Sequence, residues 1–166
     1  TMFGDGQVTW LKAGLKASTA TFKVIANGNS MVVNGKTGRE LWDNFGTERD
    51  DFLKWTFEEG IEGVFFLVGD WHVGTLNRLH RPQDAYPLYE LMSSNAAVRN
   101  QPVAPRSIET SGGHNQSAAE IYRGYNFGLL TFSGEKGSRR VALQIINEAG
   151  EVVIHRSLTE KNLSIE

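Results

Sequence analysis

Apolar positions change their period several times along the 166-residue chain, and each change marks an element. Val8, Leu11 and Leu15 recur at three- and four-residue spacing with Trp10 flanking the stripe, which predicts an opening helix that Asp5 can cap. Thr21-Phe22-Lys23-Val24-Ile25-Ala26 is a short, mostly apolar run, the pattern of a strand buried on both faces. Asn27-Gly28-Asn29-Ser30 ends it with turn residues. Residues 30–46 keep no clear period; they hold Gly35, Gly38 and Gly46, with Trp42 and Phe45 among polar neighbours. Thr47-Glu48-Arg49-Asp50 has the Thr-x-x-Asp spacing of a capping box and predicts a second helix. Glu48, Asp50 and Asp51 place negative charge at its positive end, Phe52, Leu53, Thr56 and Phe57 mark its buried side, and Gly60 stops it.

Residues 63–68 are wholly apolar, so they read as a central strand, and they run straight into Gly69-Asp70-Trp71-His72. A further strand is predicted at 88–92. Residues 93–120 read as a long polar loop holding Pro102, Pro105, Gly112 and Gly113, a length that is uncommon unless the loop is functional or mobile. Three strands follow at 127–132, 140–146 and 151–158, joined as hairpins through Gly134-Glu135-Lys136-Gly137 and Glu148-Ala149-Gly150. The order predicts a mixed α/β sheet with an all-β tail. Ligands of such a sheet lie at the carboxyl ends of its first strands, where Asn27-Gly28-Asn29-Ser30 and Gly69-Asp70-Trp71-His72 fall.

Composition narrows the function classes. Seventeen basic side chains against nineteen acidic ones leave a net charge of −2, the wrong sign for a protein that neutralises many phosphates of a nucleic acid. No apolar run approaches the ~18 residues of a membrane-spanning helix. The absence of cysteine excludes disulfide frameworks, thiolate zinc sites and cysteine nucleophiles. Thr1-Met2-Phe3-Gly4-Asp5 has neither the basic nor the apolar region of a signal peptide, and a Met in second place suggests a chain cut from something longer.

The sharpest chemical feature is Gly69-Asp70-Trp71-His72. In an extended continuation of the strand, Asp70 and His72 project to the same side, where a carboxylate and an imidazole can hold a metal or act as a base with its orienter. Gly69 lets the backbone approach a ligand. The plainer reading is a turn-capping aspartate beside a half-buried histidine, and two ligands fall short of the three or four that a metal needs. His80, in Arg78-Leu79-His80-Arg81, reads as part of a solvated basic turn; His114 lies in the long loop, and His155 is a face residue of the last strand. Asp43, next to Trp42 in a glycine-bearing segment, can line a pocket. No Gly-x-Gly-x-x-Gly, Walker or nucleophile-elbow pattern occurs.

Taken in order, these segments carry a resemblance. Trp42-Asp43-Asn44-Phe45 followed by Glu48-Arg49 resembles the Trp-Asp-(Gly/Asn)-(Tyr/Phe)-x-x-x-Arg stretch of the PhoD-like alkaline phosphatases. The run from Gly63 into Gly69-Asp70-Trp71-His72 resembles that family's strand and Gly-Asp-x-His segment. Leu88-Tyr89-Glu90-Leu91-Met92-Ser93-Ser94 is similar to its Tyr-Glu-Leu-Thr-Ser segment, Asn126-Phe127-Gly128-Leu129-Leu130 to the start of its closing meander, and Gln7-Val8-Thr9-Trp10-Leu11 to the helix before the first matching strand.

The resemblance implies an α/β (α+β) fold: part of a calcineurin-like metallophosphoesterase sandwich, a mixed sheet with helices followed by a C-terminal antiparallel β-meander. It implies metal-dependent hydrolysis of phosphate monoesters and diesters, with calcium and iron, or zinc or manganese, as the divalent or trivalent ions. Carried over, Asp70 and His72 stand where the superfamily's Gly-His-x-His motif places its metal ligands, and Asn29 or Asn27 fills the ligand position after the first strand. Asp43 and Arg49 match a motif of the catalytic pocket, with Asp43 expected to face it. Residues 1–166 would form the C-terminal portion of the family domain, inactive until an N-terminal half or another chain completes it. Strands 22–26 and 63–68 would then show an unpaired apolar edge that invites association. The family implies export, to a secreted or periplasmic location. Two other readings compete: a non-catalytic interaction module in which Asp70 and His72 are structural, and a small carbohydrate-binding β domain suggested by Trp42 and Trp71 if exposed.

Overall fold

The computed structural model describes residues 1–33, 40–81, 83–97 and 116–165, with the backbone alone for 116–119. Its elements are α1 (Asp5–Ala17), β1 (Lys23–Ala26), a 3-10 turn (Trp42–Phe45), α2 (Gly46–Glu58), β2 (Val64–Val68), β3 (Gly74–His80), β4 (Leu88–Ser93) and β5 (Gln116–Tyr122). The strands β6 (Asn126–Ser133), β7 (Arg140–Asn147) and β8 (Val152–Thr159) and a last 3-10 turn (Glu160–Leu163) complete them.

Five strands make the first sheet in the order β1-β2-β4-β3-β5. β1, β2 and β4 run parallel, whereas β3 returns antiparallel to both β4 and β5. The apolar run of β2 is interior, as its composition predicts: Val64, Phe65 and Phe66 are fully buried. β1 differs from expectation. Among the described residues it is the edge strand, with Val24 and Ala26 exposed and only Ile25 buried, so the free apolar edge there belongs to β1 and not to 63–68. Lys23 N donates to Gly63 O and Asn27 N to Leu67 O, so alternate residues face β2. The peptide groups of Val24 and Ala26 therefore point the other way.

The expected basic turn at 78–81 is the end of β3, where Leu79 is fully buried and Arg81 is buried against Asp84 at 2.8 Å. The expected loop 93–120 begins in β4 and ends in β5. Pro102, Pro105, Gly112, Gly113 and His114 lie outside the described residues, as do Gly35 and Gly38. His155 is exposed on β8 opposite Gln144, as read from the sequence.

Neither helix uses its predicted cap. α1 starts at Asp5 behind Gly4, and α2 starts at Gly46 behind Phe45, and neither residue at the cap position supplies a side-chain hydrogen bond to its own helix. α2 buries Phe52, Leu53 and Thr56, and Phe52 packs on Trp42 at 5.3 Å between ring centres. Trp42 is fully buried and Trp71 nearly so, which removes the exposed aromatics that a carbohydrate-binding reading required.

The second sheet, β6-β7-β8, is antiparallel and lays Val141, Leu143 and Ile145 of β7 toward the first. Close approach needs Gly74 on β3: a Cβ there would stand 2.8 Å from Ile145 Cγ2 and 2.9 Å from Asn126 Oδ1. The meander ties both ends of the first sheet. At one end Asn126 N donates to Asn95 O; at the other Arg139 Nη1 donates to Thr21 Oγ1 at 2.7 Å and Gly63 N to Leu163 O.

Candidate functional site

Because β1, β2 and β4 are parallel, their carboxyl ends meet at one edge, and three connecting segments converge there. Gly69 N donates to Gly28 O at 3.1 Å, which joins the turn after β2 to the turn after β1. His72 N donates to Ser94 Oγ at 2.9 Å and Ser94 N to Val73 O at 3.3 Å, which joins it to the end of β4. The structure thus brings Asn29, Asp70 and His72 to one edge.

The turn itself is not an extended continuation of β2. Asp70 and His72 both have positive φ, 79° and 53°, a backbone region that Asp and His enter more readily than most residues. Holding two such residues costs on the order of 1–3 kcal/mol each, and strain of this kind gathers at functional sites. The bonds to Gly28 and Ser94 keep the turn in place. Gly69 is not sterically required, since an added Cβ would make only ordinary contacts, 3.6 Å to Ser94 Cβ and 3.7 Å to Gly28 O.

Asp70 is exposed, and its carboxylate makes no hydrogen bond or ion pair with the described residues. Asn27 and Asn29 differ in the same respect. Asn27 Nδ2 donates to Asn29 O at 2.9 Å and to Met31 Sδ at 3.2 Å, so that amide is committed to its own turn. The half-buried Asn29 amide has no such commitment among the described residues.

Beyond Ser30 the chain turns inward: Met31 and Val32 are fully buried in irregular backbone. Leu41 bridges back to Ser30, and Trp42 N donates to Ser30 O at 3.1 Å, which seats the 3-10 turn and Asp43 beside this segment. Arg49 of α2 is 1% exposed and pairs with Asp43 at 2.7 Å. It also donates from Nε to Met31 O and from Nη2 to Val32 O, both at 3.1 Å. Burial pushes the Arg49 guanidinium down from its ordinary value, against the nearby charges of Asp43 and Asp50.

Sequence reasoning passed over Glu90. It is fully buried on β4 and collects Ser30 Oγ at 2.7 Å, Met31 N at 2.5 Å, Val32 N at 3.1 Å and Asn77 Nδ2 at 2.8 Å. Burial pushes its carboxyl up, opposed by those donors. The available signal was an acid in the middle of an otherwise apolar interior strand, Leu88-Tyr89-Glu90-Leu91-Met92, a residue type that is buried only with partners.

Among the described residues no group of three or more His, Asp or Glu side chains stands ready to hold a metal. A carboxylate, an imidazole and an amide oxygen at one edge nevertheless suit a hard or borderline ion as part of a larger donor set.

The family profile described as PhoD-like phosphatase matches residues 1–141. A solved structure titled "Structure of PhoD" aligns with 94% of this chain and 32% of its own, at a TM-score of 0.66 and 17% identity. The chain therefore spans about a third of that neighbour's length, shares its fold there, and carries the expected mixed sheet, helices and antiparallel meander. No curated protein sequence matches it. By the profile match over most of its length, the chain belongs to the PhoD-like phosphatase family.

Proposed function

We propose that this chain supplies one side of a metal-dependent phosphoesterase centre, with Asp70, His72 and Asn29 as ligands and phosphate monoesters or diesters as substrates. The observation that carries the reading is the convergence of the turns after β1, β2 and β4, with Asp70 and Asn29 uncommitted to other described residues. A bound divalent or trivalent ion would polarise a phosphoryl oxygen and lower the pKa of a water molecule. Asp70 contributes negative charge toward such an ion, His72 a ring nitrogen, and Asn29 an amide oxygen. The bonds of Gly69 to Gly28 and of His72 to Ser94 fix the turn that carries two of the three. Asp43 is the accessible member of its pair; Arg49, buried and bonded to two carbonyls, acts through Asp43 and not on the ester.

Three donors leave the set short, so we assign the remaining ligands to further chain, either the N-terminal part of a family enzyme or another polypeptide. The free edge of β1 suits that role, because an added strand can pair with Val24 and Ala26. Beside it a groove of about 280 Å³, lined by Trp10, Leu11, Phe22 and Val24, offers apolar surface, and Trp10 is 72% exposed. A purely non-catalytic module could use the same edge, but it gives no account of the strained turn at Asp70 and His72.

The test measures manganese binding by the chain, and hydrolysis of a chromogenic monoester and diester once the N-terminal portion of a PhoD-like enzyme is supplied. Asp70→Ala and His72→Ala should each lower metal affinity and turnover by more than the roughly 10–100-fold that outer partners of a metal site cost. Unchanged binding and turnover in both variants would sink the reading.

A further inference from the structure

We propose that Glu90 and Arg49 are positioning residues that hold 27–33 in one conformation by binding, respectively, the backbone N–H groups and the carbonyls of the same two residues, Met31 and Val32. Glu90 takes the two N–H groups, and Arg49 gives hydrogen bonds to the two carbonyls.

The need for such a grip follows from where the segment lies. Met31, Val32 and Val33 are 0%, 0% and 3% exposed, yet none belongs to a helix or strand. Buried backbone outside regular structure has no ladder to satisfy it, and each orphaned group would be costly. Here every peptide pole of Met31 and Val32 meets a charged side chain, and Val33 N donates to Ser30 Oγ at 3.3 Å. The two grips come from elements far apart in sequence, β4 and α2, so the segment is fixed to both. Apolar residues could fill the same volume, but they could not direct peptide groups; a buried ionic arrangement adds specificity of conformation more than stability.

What the grip positions is the turn at the carboxyl end of β1. Ser30 is bonded directly to Glu90, Asn29 precedes it, and Gly28 O receives the N–H of Gly69 one residue before Asp70. On the opposite side Arg49 holds Asp43. A single buried assembly thereby sets the distance between the two turns that carry the proposed ligands. That functional half rests on the metal reading above, whereas the geometric half does not.

The test is peptide-resolved hydrogen exchange on the whole chain, with manganese affinity measured in parallel. Glu90→Gln replaces one acceptor oxygen by a donor amide. Arg49→Lys replaces a planar fork by a point charge that cannot serve two carbonyls and Asp43 in the same way. Both variants should raise exchange across 27–33 at least ~10-fold, while β7, remote from the segment, stays within ~2-fold of the parent. Ser30→Ala removes only one hydroxyl and keeps the question open to test if the larger changes prevent folding; it should raise exchange in the same segment by a few fold. Manganese affinity should fall in parallel, by roughly 10–100-fold for the first two variants. Unchanged exchange at 27–33, or an equal rise in β7, would overturn the proposal. If the local rise occurs but no manganese is bound even with the N-terminal portion of a PhoD-like enzyme supplied, the positioning role stands and the metal reading fails.

Discussion

Two glutamates in this molecule each gather four hydrogen-bond donors, and they respond to that crowd in opposite ways. Glu48 on α2 accepts from Met2 N, Phe3 N and Gly4 N and from Trp42 Nε1, at 2.9–3.1 Å. Glu90 on β4 accepts from Ser30, Met31, Val32 and Asn77. Burial acts upward on both carboxyls. At half-buried Glu48 the four donors outweigh it and hold the group below the usual carboxylate range; at fully buried Glu90 burial wins and the group is raised. The number of donors is therefore not what decides; access to water is. Glu48 serves stability by tying the start of α1 to α2, whereas Glu90 spends stability to fix an irregular segment next to the proposed ligands.

Truncation should separate the two most widely. Glu90→Ala would leave Met31 N, Val32 N, the Ser30 hydroxyl and the Asn77 amide without their acceptor, all at 0–1% exposure. Removing one member of a buried charged network costs about 3–5 kcal/mol, to be read as a lower midpoint in urea unfolding. Glu48→Ala should cost less, about 1–2 kcal/mol, because the amides of 2–4 lie near solvent and only the indole N–H of buried Trp42 is stranded. Equal losses would show that water access does not separate the sites.

The pH dependence sharpens the same contrast. A carboxyl raised on folding contributes stability that is fully present below its unfolded value, near 4.3 for glutamate, and is lost as pH rises through the folded one. Glu90 is that case. Glu48, held low, contributes stability that is present above the unfolded value and is lost as pH falls through its folded one. Urea midpoints followed from pH 3 to 8 should therefore lose part of their decline on the alkaline side in Glu90→Gln, and part of their acid decline in Glu48→Gln. The reverse assignment of the two limbs would refute the contrast.

The same contrast explains what the sequence made legible. β2 could be read from Val64–Val68 because a strand buried on both faces is apolar throughout, and α2 from the spacing of Phe52, Leu53 and Thr56. Asp70 and His72 stood out because they are two residues apart, although their backbone turns where an extended continuation was expected. β3 was missed because it carries a polar residue inward: Asn77 is 1% exposed and is there to meet Glu90. Read without its partner, Asn77 looks like a loop residue. β5 gave little signal, since Gln116, Ser117, Ala118, Ala119 and Glu120 lack the branched or aromatic side chains that mark strands. The grip on 31–32 joins residues 58 and 59 positions apart, and no local pattern encodes it. Glu48 was assigned to its own helix because a first-turn acid normally serves there; a foreign helix start outbid it.

The smallest expected effect is also the most discriminating. At Glu90 the donors divide evenly, Ser30 and Asn77 on Oε1 and Met31 and Val32 on Oε2. A glutamine amide must then face a pair of donors in either orientation. At Glu48 the division is uneven: Met2, Phe3 and Trp42 share Oε1, and Gly4 alone uses Oε2. Glutamine there can keep its oxygen toward the crowded side and turn its amide toward a single N–H beside solvent. Glu48→Gln should thus cost no more than about 1 kcal/mol at neutral pH, against about 2–3 kcal/mol for Glu90→Gln. Urea unfolding of the two variants side by side checks this. A Glu48→Gln loss as large as that of Glu90→Gln would mean that the charge of Glu48, and not the placement of its acceptors, holds the first turn of α1 to α2.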